Sequence, residues 1–90
     1  MTAGAKAQQA KARARRALLC EIEAEGRSPA AELHLSYQRV SQMRKEARLE
    51  MAGLVAEGVS ISIAGLALGM SCRAAAHVWA DICRIQGEEP

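Results

Sequence analysis

The stretch SPAAELHLSYQRVSQMRKE, from Ser28 to Glu46, decides the fold. Ser28 before Pro29 is a typical helix start, because a serine side chain caps free backbone amides and proline is tolerated in the first turn. This helix is expected to end at about His34, and Ser36 caps the next one. The stretch therefore predicts a short helix, a tight turn and a longer second helix.

A similar stretch, SIAGLALGMSCRAAAHVW, follows at Ser62–Trp79. In both stretches a small residue stands where the short helix would cross its successor, Ala30 in the first and Gly65 in the second. The turn residue has to tolerate a left-handed backbone, which Gly69 does freely and His34 does less comfortably. Both stretches therefore meet the physical requirements of a helix-turn-helix.

Short sequence words recur in the same order along the chain. AEGRS at Ala24–Ser28 recurs as AEGVS at Ala56–Ser60, and AAELHLS at Ala30–Ser36 is echoed by GLALGMS at Gly65–Ser71. The recurrence predicts a structural repeat of a long helix, a glycine turn, a short helix and a capped helix. The other interpretation is chance repetition in an alanine-rich helical chain.

The composition favours an all-α fold of about five helices. The chain has 90 residues, half of them hydrophobic, with two prolines and no phenylalanine. Its core must be built from small side chains, whose limited area favours close helix packing or a dimer. A first helix is predicted at about residues 5–25, ended by Gly26, with Leu18, Leu19 and Ile22 facing inward.

In the two quoted stretches the chain resembles the helix-turn-helix superfamily of DNA-binding proteins, especially small bacterial, plasmid and phage transcription regulators. The Kor-type repressors of plasmids are one such group. The resemblance implies that one helix lies in the major groove of duplex DNA, usually with its first turn at the bases.

The helix that follows Ser36 has one apolar and one polar face. On a helical wheel, its apolar side chains form a core stripe of Val40, Met43, Ala47, Met51 and Leu54. The opposite face carries glutamine, serine, arginine and lysine, and no acid occurs before Glu46. Glutamine can hydrogen-bond adenine edges, arginine can pair with guanine, and lysine can hold phosphates. The alternative is an ordinary solvated face.

The DNA interpretation assigns a role to each polar residue of this helix. Base-reading residues are predicted to be Tyr37, Gln38, Arg39 and Gln42, and phosphate contacts Ser36, Ser41, Arg44, Lys45 and Arg48. For Tyr37 a half-buried ring that closes the motif is an equally open alternative. Leu49 does not suit phosphates, so either the reading ends by about Arg48 or Leu49 contacts another subunit.

The second unit offers fewer polar side chains. Arg73 and His77 are its predicted DNA contacts, whereas Trp79, Ile82 and Ile85 predict a dimerisation surface. We therefore expect the first unit to read DNA and the second to pack or dimerise. The reverse assignment stays open, because the second turn has the better turn residue.

These features predict three segments along the chain. Residues 1–16 form a basic arm or frayed helix start, residues 17–55 the first unit and residues 56–90 the second. The basic residues of the arm are Lys6, Lys11, Arg13, Arg15 and Arg16. They suit either phosphate or minor-groove contacts or a solubilising tail.

Other chemistry is not expected. Cys72, His77 and Cys83 lie on one helix too far apart to share a metal ion, and buried small side chains are the preferred interpretation of the cysteines. The three cysteines lack CxxC spacing, which favours a reduced, cytoplasmic protein. No enzyme activity, cofactor, small-molecule ligand or membrane segment is predicted.

The sequence thus predicts a homodimeric transcriptional repressor. It would bind double-stranded DNA site-specifically at an inverted repeat, with the helix at residues 36–48 in the major groove, and act by promoter occlusion. Two alternatives remain open. One is a phage DNA-packaging or replication adaptor with a helix-turn-helix, and the other is a protein–protein adaptor without DNA affinity.

Overall fold

The computed structural model describes residues 3–88, with side chains from Ala7 onward, and all its regular structure is helical. The helices are α1 (Ala3–Ala24), α2 (Pro29–Leu33), α3 (Tyr37–Ala56), α4 (Ile61–Ala67) and α5 (Cys72–Glu88). The predicted all-α class with about five helices is confirmed. The first helix begins two residues before the predicted start at about residue 5, and residues 3–16, for which a basic arm or a helix start was predicted, belong to α1.

The helices begin at the predicted serine caps. The Ser28 hydroxyl accepts a hydrogen bond from the amide of Ala31 at 3.4 Å, and the Ser36 hydroxyl accepts one from the amide of Arg39 at 3.1 Å. Gly26 follows α1 with a φ of 77°, a left-handed conformation that suits glycine. Local capping therefore sets the helix boundaries around the first unit.

The two tight turns share one backbone plan. His34 and Gly69 both have a left-handed φ, 55° and 82° respectively. The amide of Leu35 donates to the Ala30 carbonyl at 3.0 Å, and the amide of Met70 donates to the Gly65 carbonyl at 2.8 Å. The predicted repeat is thus present in the local backbone, but the two units overlap, because α3 ends the first and begins the second.

The core lies where α1, α3 and α5 pack against one another and α4 closes one side. Its most deeply buried large side chains are Leu19, Cys20 and Met51. The predicted stripe of α3 is confirmed for Val40, Met43, Ala47 and Met51, while Leu54 is half-buried. The prediction that Leu18 faces inward is wrong, because this side chain is exposed. The core-facing side of α1 passes through Ala17, Leu19 and Cys20, and a helical turn of 100° per residue carries Leu18 away from it.

The crossing of α4 and α5 is close enough to require glycine. A Cβ atom built on Gly65 would lie well inside van der Waals contact with the Cβ atom of Ala75. Ala75 and Val78 are buried, as the sequence predicts for the inward side of α5. Within residues 3–88 no single helix is long and apolar enough to cross a membrane.

Candidate nucleic-acid interface

The outward face of α3 carries the polar residues that the sequence singles out. Gln38, Ser41, Gln42 and Lys45 are all exposed there. Tyr37, in the first turn, is 82% exposed, so the alternative of a half-buried ring is wrong. The first three turns of α3 therefore present amide, hydroxyl, phenol and ammonium groups together on one side.

The acids of α3 point away from this face, toward α1. Arg16 of α1 donates to the Glu46 carboxylate at 3.2 Å and also pairs with Glu50. Arg13 lies 3.6 Å from the same Glu50 carboxylate. The negative charges of α3 are thus neutralised at the α1–α3 contact, and its outward face keeps only positive and neutral groups.

Arg44 has a different environment from the one predicted for a phosphate contact. Its guanidinium is half-buried and grips the Glu23 carboxylate of α1, with Nε 2.9 Å and Nη2 2.6 Å from Oε2. The hydrogen bond to Glu23 raises the pKa of Arg44, and Asp81 of α5 adds to the effect. Arg44 therefore ties α1 to α3, and its charge is balanced inside the chain.

The N-terminus of α3 is open to an anion. Its cap is the hydroxyl of Ser36, and neither an acid in the first turn nor a carboxylate from another described helix bonds to it. Arg39 donates from Nη1 to Oε1 of Gln42 at 3.1 Å. Because a guanidinium has five donors, Arg39 retains others for a ligand while this contact orders both side chains.

The N-terminus of α5 is occupied. The Glu21 carboxylate of α1 accepts hydrogen bonds from the Ser71 amide at 2.8 Å and the Ser71 hydroxyl at 2.6 Å. The same hydroxyl accepts from the amide of Ala74, as a helix cap does. A negative charge therefore stands at the end of α5 where a DNA phosphate would have to approach.

The outward face of α5 is thin in polar groups. In its first three turns Arg73 is exposed and His77 is half-buried, and the other exposed side chains there are Cys72, Ala76 and Ala80. The prediction of buried cysteines is wrong for Cys72 and Cys83, which are both exposed. The core-facing side of α5 is filled by other residues, so both cysteines fall on its outer side.

The residues predicted for dimerisation are only partly on the surface. Ile82 is 6% exposed and packs in the core of its own chain, while Trp79 and Ile85 are half-buried. A surface centred on α5 would therefore offer a partner Trp79 and Ile85 but little of Ile82.

The basic residues of α1 divide between packing and solvent. Arg13 and Arg16 pair with α3, whereas Lys11 and Arg15 are exposed. The side chain of Lys6 lies outside the described residues. Arg48 of α3 is half-buried at the edge of a groove toward α5.

The sequence reasoning missed two interactions that shape this surface. Glu21 at the start of α5 and Arg16 between Glu46 and Glu50 join residues far apart in the chain. The only signal was spacing: Glu46 and Glu50 share one side of a helix, as do Arg13 and Arg16. Spacing indicates that two acids share one side of a helix and that two arginines share one side of another, but not that these two helices are in contact.

No protein-family model matches the chain, and no curated protein or solved structure is significantly similar to it. Among the residues that the structure describes, no three His, Cys, Asp or Glu side chains are grouped as a metal site requires.

Proposed function

We propose that this protein binds duplex DNA site-specifically through α3 in the major groove, and that it represses transcription by occluding a promoter. The observation that carries the proposal is the outward face of α3. Its acids are turned to α1 and paired there, and its N-terminus is uncovered. A merely solvated helix does not need its negative charges removed from one face.

The exposed groups of α3 match what DNA offers. Gln38 and Gln42 can donate to and accept from adenine, and Arg39 can pair with guanine. Tyr37 at the first turn can reach a phosphate or a thymine methyl. Sugar-phosphate contacts fall to hydroxyl and cationic groups at the margins of the face, namely Ser36, Ser41 and Lys45.

The contrast with α5 supports the choice of α3. A phosphate at the N-terminus of α5 would meet the carboxylate of Glu21 only a hydrogen bond away from the helix end. Like charges at such a distance repel, and displacing Glu21 would cost its two hydrogen bonds from Ser71, the residue that caps the helix. Arg73 and His77 are accordingly proposed to be secondary contacts at most.

Binding selection from random duplexes tests the proposal. We expect wild type to enrich one site, and Gln38→Ala and Gln42→Ala each to relax it at a single position with a loss of about 1–3 kcal/mol. Arg73→Ala is the matched variant on α5 and should leave the selected site unchanged. A site lost with Arg73→Ala and kept with both glutamine variants would transfer reading to α5.

Salt dependence tests the phosphate contacts separately. Lys45→Gln should weaken binding to all duplexes and reduce the slope of log K against log salt by about 1, because one fewer counterion is released. Arg84→Gln is the control, since Arg84 is exposed on α5 and pairs with Asp81 and Glu88 of its own helix. Equal slopes for the two variants would remove Lys45 from the interface.

The same samples distinguish the other functions. A DNA-packaging adaptor should elute as a large ring, and a protein–protein adaptor should enrich no duplex at low salt. Either result would overturn the repressor proposal. A specific complex with two copies of the chain per duplex would support it.

A further inference from the structure

Leu49 stands on the outward face of α3, where it is 63% exposed. A single exposed leucine is ordinary in a folded protein. Leu49, however, forms one wall of a groove that opens between α3 and α5. The groove is lined by Arg48, Leu49, Ala52, Ile82, Ile85 and Gln86.

We propose that a second copy of this chain docks here, with the Leu49 side chain of each copy seated in the groove of the other. A two-fold dimer uses the same patch on both copies, so the patch must be complementary to itself. A projecting leucine beside an apolar groove on one surface meets that condition. The walls and floor that would receive it are Ala52, Ile82 and Ile85.

The charges at the groove agree with this arrangement. Arg48 stands on the α3 rim, and among the ion pairs of the described residues none involves it. The opposite rim is the last turn of α5, which ends at Glu88, where a helix carries partial negative charge. Exchanging the rims by a two-fold rotation sets Arg48 of each copy beside the α5 end of the other.

This surface differs from the dimerisation surface predicted from sequence. It shares Ile82 and Ile85 with that prediction but is centred on Leu49 of α3, and it does not use Trp79. Ile82 contributes as the floor of the groove, which fits its burial.

Cross-linking tests the contact without DNA. In a background with Cys72→Ser and Cys83→Ser, Leu49→Cys should give a covalent dimer with a short bis-maleimide, because the two side chains lie near the axis. Leu66→Cys is the matched control, since Leu66 is 74% exposed on α4, away from the groove. Equal dimer yields from the two variants, or none from Leu49→Cys, would overturn the proposal.

Sedimentation and DNA binding give the second test. Leu49→Asp should weaken the dimer at least tenfold, while Leu66→Asp leaves it unchanged and both keep the wild-type circular dichroism. A dimer that depends on Leu49 but selects no duplex would support the contact and refute DNA binding. Duplex binding with two copies and no dependence on Leu49 would do the reverse.

Discussion

The two helix-turn-helix units have the same backbone turn and different residues at its equivalent positions. Ala30 and His34 in the first correspond to Gly65 and Gly69 in the second. The second unit is the tighter one, because glycine lets α4 and α5 touch. It is also closed at its helix N-terminus by Glu21, whereas the first is open. The better-formed motif is therefore closed at its helix N-terminus, and the looser one keeps an uncovered helix N-terminus.

The largest loss of stability is expected from a substitution at the close crossing of α4 and α5 in the second unit. Gly65→Ala places a Cβ atom against that of Ala75, which is fixed to the α5 backbone. Because the Cβ atom of Ala75 cannot move without its backbone, we expect an overpacking cost of about 3 kcal/mol or more, which exceeds the gain of about 1 kcal/mol in helix propensity. Urea unfolding should show a net loss of stability.

Gly53→Ala is the control for this change. Gly53 lies inside α3 with no atom near a Cβ built on it. Only the propensity term remains there, so stability should rise by about 1 kcal/mol. A gain at both glycines would mean that α4 and α5 do not pack as closely as the structure has them.

The sequence predicts the local features of the two units, but not the contacts between residues that are distant in the chain. Serine caps, left-handed turns and the core stripe of α3 follow from rules that link residues a few positions apart. Glu21 meets Ser71 across 50 positions, and nothing in either neighbourhood names the other. The exposure of Leu18 and of Cys72 was missed for the same reason, since a helical wheel shows which residues share a face but not where its neighbours stop.

Substitutions at the two left-handed turn residues should change stability by a smaller amount. Gly69→Ala should destabilise the protein by about 1–2 kcal/mol, because an L-residue in the left-handed region is strained. His34→Gly should stabilise it by about 0.5–1 kcal/mol, because His34 already bears that strain. Urea midpoints measure both. Two losses would show that the His34 side chain makes a contact worth more than its backbone strain.

Removing the Glu21 carboxylate from the start of α5 should change stability by a similar or smaller amount than the turn substitutions. Glu21→Ala takes away both hydrogen bonds to Ser71, and for a solvent-exposed cap we expect a loss of about 1 kcal/mol. Glu25→Ala is the control, because its surface ion pair with Arg27 is worth at most about 0.5 kcal/mol. Thermal or urea unfolding compares the two, and equal losses would argue that Glu21 does not cap α5.

The smallest effect is on cysteine reactivity. Burial raises the pKa of Cys20 to about 12, and the carboxylates of Glu23 and Glu21 add to the shift. At pH 8 iodoacetamide should therefore modify the exposed Cys72 and Cys83 quickly and Cys20 only slowly, when the structure around it opens, and mass spectrometry can count the modified thiols. Because the unfolded thiol ionises first, this contribution to stability is complete below pH 9 and falls as the pH rises toward 12.

The rate at which Cys20 is modified also tests whether the contact between Glu21 of α1 and Ser71 at the start of α5 holds α1 in place. Cys20 precedes Glu21 on α1 and is buried in the core. A reagent therefore reaches it only when α1 separates from its neighbours. Glu21→Ala weakens the tie between α1 and α5 and should raise the rate about fivefold, in proportion to a loss of about 1 kcal/mol if opening is local. Glu25→Ala should leave the rate within about twofold. A rate that is the same in both variants would mean that the carboxylate at α5 does not hold α1 in place.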